Sequence, residues 1–168
     1  RAAMAGGCSH AQWRRPAPQG RGRRVTAPKI LIMGLPGAGK TTLAEVLAPR
    51  IGAVWFNNDA VRATLTSHLG FSLDDRITQA RHMGWLCDQV VKAGHPAVAD
   101  FICPTELTRQ AFQTGGEAFI VWVDRIMRSR FEDTNRLFER PKRVDVRVTL
   151  DGSPTDWVEE IARKVGCA

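Results

Sequence analysis

Eight residues, Gly34-Leu35-Pro36-Gly37-Ala38-Gly39-Lys40-Thr41, stand between the apolar run Ile30-Leu31-Ile32-Met33 and the helically spaced segment Thr42 to Leu47. Strand, glycine-rich turn and helix in that order are what a P-loop requires, because the loop holds phosphate with backbone N–H groups at the positive end of a helix. Gly34, Gly37 and Gly39 would bring the backbone close to the phosphates, with Pro36, Ala38 and Thr42 completing the cradle. The Lys40 ammonium would reach the β/γ-phosphates from a solvent-facing position, and the Thr41 hydroxyl would ligate Mg²⁺. ATP and Mg²⁺ are therefore the expected cofactors. A glycine-rich turn that binds nothing would leave Lys40 and Thr41 without a role.

The rest of the chain alternates strands and helices. The P-loop helix carries Leu43, Val46, Leu47 and Ile51 and ends at Pro49 and Gly52; a strand follows over 53–56. Asn57-Asn58-Asp59 opens a helix with Val61, Arg62 and Leu65, and Ser72 with Asp75 opens a long one, in the manner of a capping box, closed by Gly94. Residues 96–102 and 118–123 read as strands buried on both faces, 104–112 and 125–139 as helices, and 144–150 as a strand at or near the sheet edge. Ser153 caps a terminal helix with Trp157, Val158, Ile161 and Val165 inward. This order predicts an α/β fold, a doubly wound, mostly parallel sheet with helices on both faces, as in P-loop nucleoside triphosphate hydrolases and kinases.

The chain has 168 residues, enough for one α/β domain, and a net charge of +7. Six arginines and no acidic residue lie in 1–28, which leaves the remaining 140 residues at 18 basic against 17 acidic, about +1. Residues 1–28, rich in Ala, Gly, Pro and Arg, are expected to be a disordered basic extension, with a transit peptide or an upstream translated segment ahead of Met4 as alternatives. Residues 29–168 are expected to form one P-loop kinase domain. No apolar run reaches the ~20 residues of a membrane span, and Cys8, Cys87, Cys103 and Cys167 have no zinc or C-x-x-C spacing, which points to a reducing, cytoplasmic setting.

In a sheet of this kind ligands bind outside the carboxyl ends of the strands, and the residues there are unusually polar. Asn57-Asn58-Asp59-Ala60-Val61-Arg62, Leu69-Gly70-Phe71-Ser72-Leu73-Asp74-Asp75-Arg76 and Phe101-Ile102-Cys103-Pro104 follow the P-loop in order. With the P-loop, these blocks resemble the adenylylsulfate kinases, whose pattern runs D-G-D-N-V-R, L-G-F-S-x-x-D-R and F-I-S-P. The resemblance implies ATP-dependent phosphorylation of the 3′-hydroxyl of adenylyl sulfate, with Lys40 and Asp59 catalytic. It also implies that Arg62 and Arg76 hold the sulfate-phosphate end, that Phe71 stacks on the adenine, and that Asp59, Phe101, Ile102 and Cys103 contact the acceptor. A homodimer is compatible with it; no membrane or nucleic-acid partner is expected.

The chain departs from that pattern at named positions. Asn57 and Asn58 replace Asp-Gly, Cys103 replaces Ser, Gln79 stands where an Asn is usual, and Asp100 stands where the family has a small residue. The family's G-F-T-G stretch has no counterpart after Val123. A carboxylate ending a buried strand is costly without partners, so Asp100 is expected to serve the metal site, through water or through Thr41. Arg125, Arg128, Arg130, Arg136 and Arg140 mark a lid that would bring positive charge over the γ-phosphate. Other readings are open for several residues. Arg62 and Arg76 could pair with Asp74 or Asp75, Phe71 could be a hydrophobic staple, and Cys103 could be a packing residue. For the whole chain, the alternatives are a P-loop kinase acting on another small hydroxyl metabolite, or a nucleotide-binding regulatory module with a nucleic-acid-binding tail.

Overall fold

The computed structural model describes residues 27–167. The expected basic extension lies outside the described residues apart from Ala27 and Pro28. Five strands, β1 (Lys29–Met33), β2 (Val54–Asn57), β3 (Ala97–Asp100), β4 (Phe119–Val123) and β5 (Val146–Val148), form one sheet in the order β2-β3-β1-β4-β5. Every pairing is parallel. Six helices connect and follow them: α1 (Lys40–Arg50), α2 (Asn58–Thr64), α3 (Leu73–Lys92), α4 (Glu106–Phe112), α5 (Glu132–Leu137) and α6 (Pro154–Lys164). This is the doubly wound architecture expected from the sequence.

Successive side chains of a strand point to opposite faces, and the central strand β1 divides accordingly. Ile30 and Ile32 pack with Leu43, Ala44 and Leu47 of α1 and with Val158, Ile161 and Ala162 of α6. Leu31 and Met33 pack on the other side with Val61 of α2, Ala80 and Met83 of α3 and Phe112 of α4. A strand covered on both faces must be apolar at consecutive positions, which is why Ile30 to Met33 shows no alternation. Asn57, Ser72, Thr105 and Ser153 cap α2, α3, α4 and α6, each accepting a backbone N–H three residues on.

Three expectations are corrected. Val46 is exposed, because the buried face of α1 is centred between Leu43/Leu47 and Ala44/Ala48 and leaves Val46 at its rim. The edge strand is only Val146–Val148. The helix expected over 125–139 is confined to Glu132–Leu137. Ahead of it, Asn135 accepts from the Ser129 backbone N–H (2.9 Å) and hydroxyl (2.8 Å) and donates to its carbonyl (2.8 Å), a local network that competes with helix formation.

At the opposite end of the sheet from the P-loop, Lys29 is buried with Asp88, Nζ to Oδ1 at 2.7 Å, and also donates to the Phe112 carbonyl at 2.7 Å. Removing one partner of such a pair strands the other charge in the interior. Lys29→Met should therefore cost about 3–5 kcal/mol of stability, read by urea unfolding, whereas a change below 1 kcal/mol would mean that solvent reaches Asp88.

Candidate active site

The chain leaves β1 at Gly34, where φ is +148° and a β-carbon would run into the Val123 carbonyl at the end of β4. Only glycine fits there, so the loop is pressed against β4. Gly39, at φ +97°, is the N-cap of α1 and supplies no capping side chain. The first-turn N–H groups of α1 are thus open to an anion. Lys40, expected to face solvent, is instead buried, its stem covered by the loop and its ammonium donating to the Leu35 carbonyl at 2.9 Å. Burial lowers its pKa, and Asp100 and Asp59 oppose that shift. Both carboxylates therefore act on the Lys40 charge.

Asp100, only 2% exposed, is the hub of the site. The Thr41 hydroxyl donates to its Oδ2 at 2.7 Å, and the Trp55 indole N–H to its Oδ1 at 2.8 Å. Asn57 is its register partner across the β2–β3 ladder and donates to both oxygens, at 3.2 and 3.3 Å. The same Asn57 side chain accepts the Ala60 N–H at 3.1 Å and so caps α2. An amide can donate and accept at once, and a carboxylate cannot. Asn57 and Asp100 therefore form one coupled pair: the carboxylate sits on β3, and an amide opposite it on β2 avoids two facing negative charges. Burial pushes the Asp100 pKa up, partly countered by its three donors and by Lys40.

Asp59 lies exposed in the first turn of α2, reached by Asn58 Nδ2 at 3.3 Å. Gln79 is buried, accepts the Thr66 hydroxyl at 2.7 Å and donates to the Asn58 side chain at 3.0 Å, which fixes the residue beside Asp59. Phe71 is 70% exposed, with the Arg62 guanidinium 4.5 Å and the Arg76 guanidinium 5.7 Å from its ring centre. Arg62 also donates to the Leu69 and Gly70 carbonyls (2.7 and 2.5 Å), and Arg76 to the Phe71 carbonyl (2.9 Å). The arginines thus shape the loop that presents Phe71, and neither pairs with Asp74 or Asp75. An exposed aromatic ring flanked by two cations is a platform for a flat anionic ligand.

Phe101 and Cys103 have buried side chains. Phe101 packs against Phe112, with ring centres 5.6 Å apart, and Cys103 is fully buried at φ +45° with its thiol pKa pushed up to about 12 by burial. Any contribution from them to ligand binding runs through the backbone, as does that of Ile102, whose carbonyl accepts the Gly34 N–H at 3.4 Å. Arg109, which the sequence pattern did not mark, holds this loop. It is 2% exposed and donates to the Cys103, Pro104 and Glu139 carbonyls. Its one sequence signal is Glu106 three residues earlier on α4, to which it is paired.

A metal at this site would meet Thr41, Asp100 and nearby Asp59. Oxygen donors of this kind, few in number, suit Mg²⁺ held mainly through phosphates and water. Among the described residues no cluster of three or more His, Cys, Asp or Glu could hold a metal by itself, and no helix is long and apolar enough to cross a membrane.

The adenylylsulphate kinase family profile matches residues 26–149, well over half of the chain. Among curated relatives, an adenylyl-sulfate kinase of Gloeothece citriformis is 34% identical over 86 residues, covering 48% of this chain and 49% of the relative. One of a Picosynechococcus species is 29% identical over 125 residues, covering 70% and 71%. Several matches are partial, and the chain spans about half the length of the first two curated relatives. The Mycobacterium tuberculosis APS kinase, solved with AMPPNP and APS, superposes with a TM-score of 0.74 at 21% identity over 84% of this chain and 98% of that one. A sugar kinase from a Janibacter species gives 0.68 at 18% identity, over 84% and 96%. These superpositions establish the fold as that of P-loop kinases. With the profile match and the P-loop geometry together, the chain belongs to the adenylylsulphate kinase family.

Proposed function

We propose that the protein transfers the γ-phosphoryl group of ATP to the 3′-hydroxyl of adenylyl sulfate. The observation that carries this reading is the convergence of Lys40, Thr41, Asp59 and Asp100 around one anion cradle, with Phe71 on the loop between α2 and α3 flanked by Arg62 of α2 and Arg76 of α3. Mg²⁺, when bound, would neutralise charge between the β- and γ-phosphates. The glycines and Lys40 would hold the phosphates, Thr41 would hold the metal, and Asp100, which accepts a hydrogen bond from the Thr41 hydroxyl, sets the direction of that hydroxyl. Asp59 orients the acceptor hydroxyl, whose oxygen bonds to the γ-phosphorus as the bond to the ADP oxygen breaks; the hydroxyl proton passes to Asp59 or to water. Arg62 and Arg76 grip the anionic end of the acceptor while Phe71 stacks on its base. Buried, unpaired thiols at Cys87 and Cys103 suit a reducing compartment such as the cytoplasm.

Adenylyl sulfate should be turned over faster than AMP, adenosine or simple sugars in an assay with ATP and Mg²⁺ that reads 3′-phosphorylated product by mass. Turnover of another hydroxyl compound without product from adenylyl sulfate would remove the acceptor assignment and leave a kinase. On the same reading, Arg62→Ala or Arg76→Ala should raise the acceptor KM with ATP KM little changed; the reverse pattern would place these arginines on the nucleotide.

A further inference from the structure

Five arginines lie between residues 125 and 140, and the structure singles out one. We propose that Arg125 grips the phosphate chain of the nucleotide donor from the β4 side, as the counterpart of Lys40. This rests on the phosphoryl-transfer reading above and deepens it.

Three observations place Arg125. Val123 ends β4 against Gly34, so the chain that leaves β4 is delivered over the loop. Arg125 Nη1 lies 3.4 Å from where a β-carbon would stand on Gly39, and Ile126 Cδ1 lies 4.0 Å from the same position on Gly37. Residues 125 and 126 thus cover the cradle at the N-terminus of α1. Finally, the Arg125 Nε is buried with no hydrogen-bond partner. Its neighbour Asp124 is taken by Arg147, whose Nε reaches it at 2.9 Å. Arg128, Arg130, Arg136 and Arg140 are exposed.

A guanidinium in this place faces the positive end of α1 at Gly39. Like charges gathered around open N–H groups repel, and an anion reverses that balance. A buried donor left unpaired also costs stability. Both costs are offset by a phosphate bound on the loop beside Arg125, because the planar fork can donate two bonds to one phosphate. A purely structural arginine would show the opposite signature: removing it would lower the stability of the free protein.

The test is calorimetric binding of Mg²⁺ with ADP and with a non-hydrolysable ATP analogue to wild type, Arg125→Ala, Arg125→Lys and, at an exposed position of α6, Arg163→Ala, beside the melting temperature of each free protein. Arg125→Ala should weaken nucleotide binding about 10- to 100-fold, the range for charge-assisted hydrogen bonds, without lowering the melting temperature. Arg125→Lys should fall between Arg125→Ala and wild type, Arg163→Ala should match wild type, and the acceptor KM should not change in any variant. Nucleotide affinity unchanged in both Arg125 variants, or a loss that tracks a lower melting temperature in both, overturns the proposal. If wild type binds no nucleotide, the phosphoryl-transfer reading fails and this inference falls with it.

Discussion

Lys40→Ala should cut phosphoryl transfer by at least ~10²-fold, the scale for removing a preorganised group that meets developing charge. The fold should survive. Lys40 is covered by the loop but belongs to neither apolar cluster, and its one hydrogen bond goes to Leu35 within the same loop. Its pKa is lowered by burial, so holding the ammonium there costs the free protein stability, and the alanine variant should melt no lower than wild type. Single-turnover rates beside thermal melts separate the two effects. A variant that turns over normally would sink the role of the loop, and one that loses activity only because it unfolds would show that Lys40 is structural.

Asp100→Asn should lower transfer by ~10–100-fold, the usual cost of losing a residue that orients a metal-facing ligand, and should raise the Mg²⁺ concentration needed for half-maximal rate. Its effect on stability should run the other way. The carboxyl pKa is raised on folding from an ordinary value of 3.8, chiefly by burial, so the folded protein binds the proton more tightly than the unfolded chain. The stability associated with this group is full below about pH 3.8 and is lost as pH rises through the elevated folded value. At pH 7 the asparagine variant should therefore melt at or above wild type, with the gap closing on acidification. A variant less stable than wild type at pH 7 and equally dependent on Mg²⁺ would make Asp100 a structural hydrogen-bond hub.

The legible parts of this molecule were those where local chemistry admits one solution. Consecutive apolar residues fix Ile30 to Met33 as a strand buried on both faces, and the glycines at 34 and 39 fix the loop that follows, because a β-carbon has no room at Gly34 and Gly39 sits at a positive φ that strains other residues. Asp100 was marked by the cost of a carboxylate at the end of a buried strand, and its bond to Thr41 is as expected. What joins it to Asn57 was not legible, since the pairing spans 43 residues of sequence and depends on the β2–β3 register. Arg109 was missed for a related reason: an arginine on a short helix looks solvated until the carbonyls of Cys103, Pro104 and Glu139 converge on it. The helix expected across 125–139 failed because a charged run carries little periodicity, and the Ser129–Asn135 network outweighs intrinsic propensity there.

The hydrogen bond from Trp55 to Asp100 gives the protein an intrinsic optical gauge of the candidate site. An indole whose N–H points at a carboxylate emits according to the charge it faces, so any event that neutralises or reorients Asp100 should change the intensity and wavelength of Trp55 fluorescence. Among the described tryptophans, Trp85 is 61% exposed, Trp122 lies beneath Arg147 with the guanidinium 5.0 Å from its ring, and the Trp157 indole N–H has no partner. None of these indoles hydrogen-bonds a P-loop residue or Asp100. Replacing those three and Trp13 with phenylalanine would leave Trp55 as the sole tryptophan, and titration of metal and nucleotide could then be followed in real time without a label.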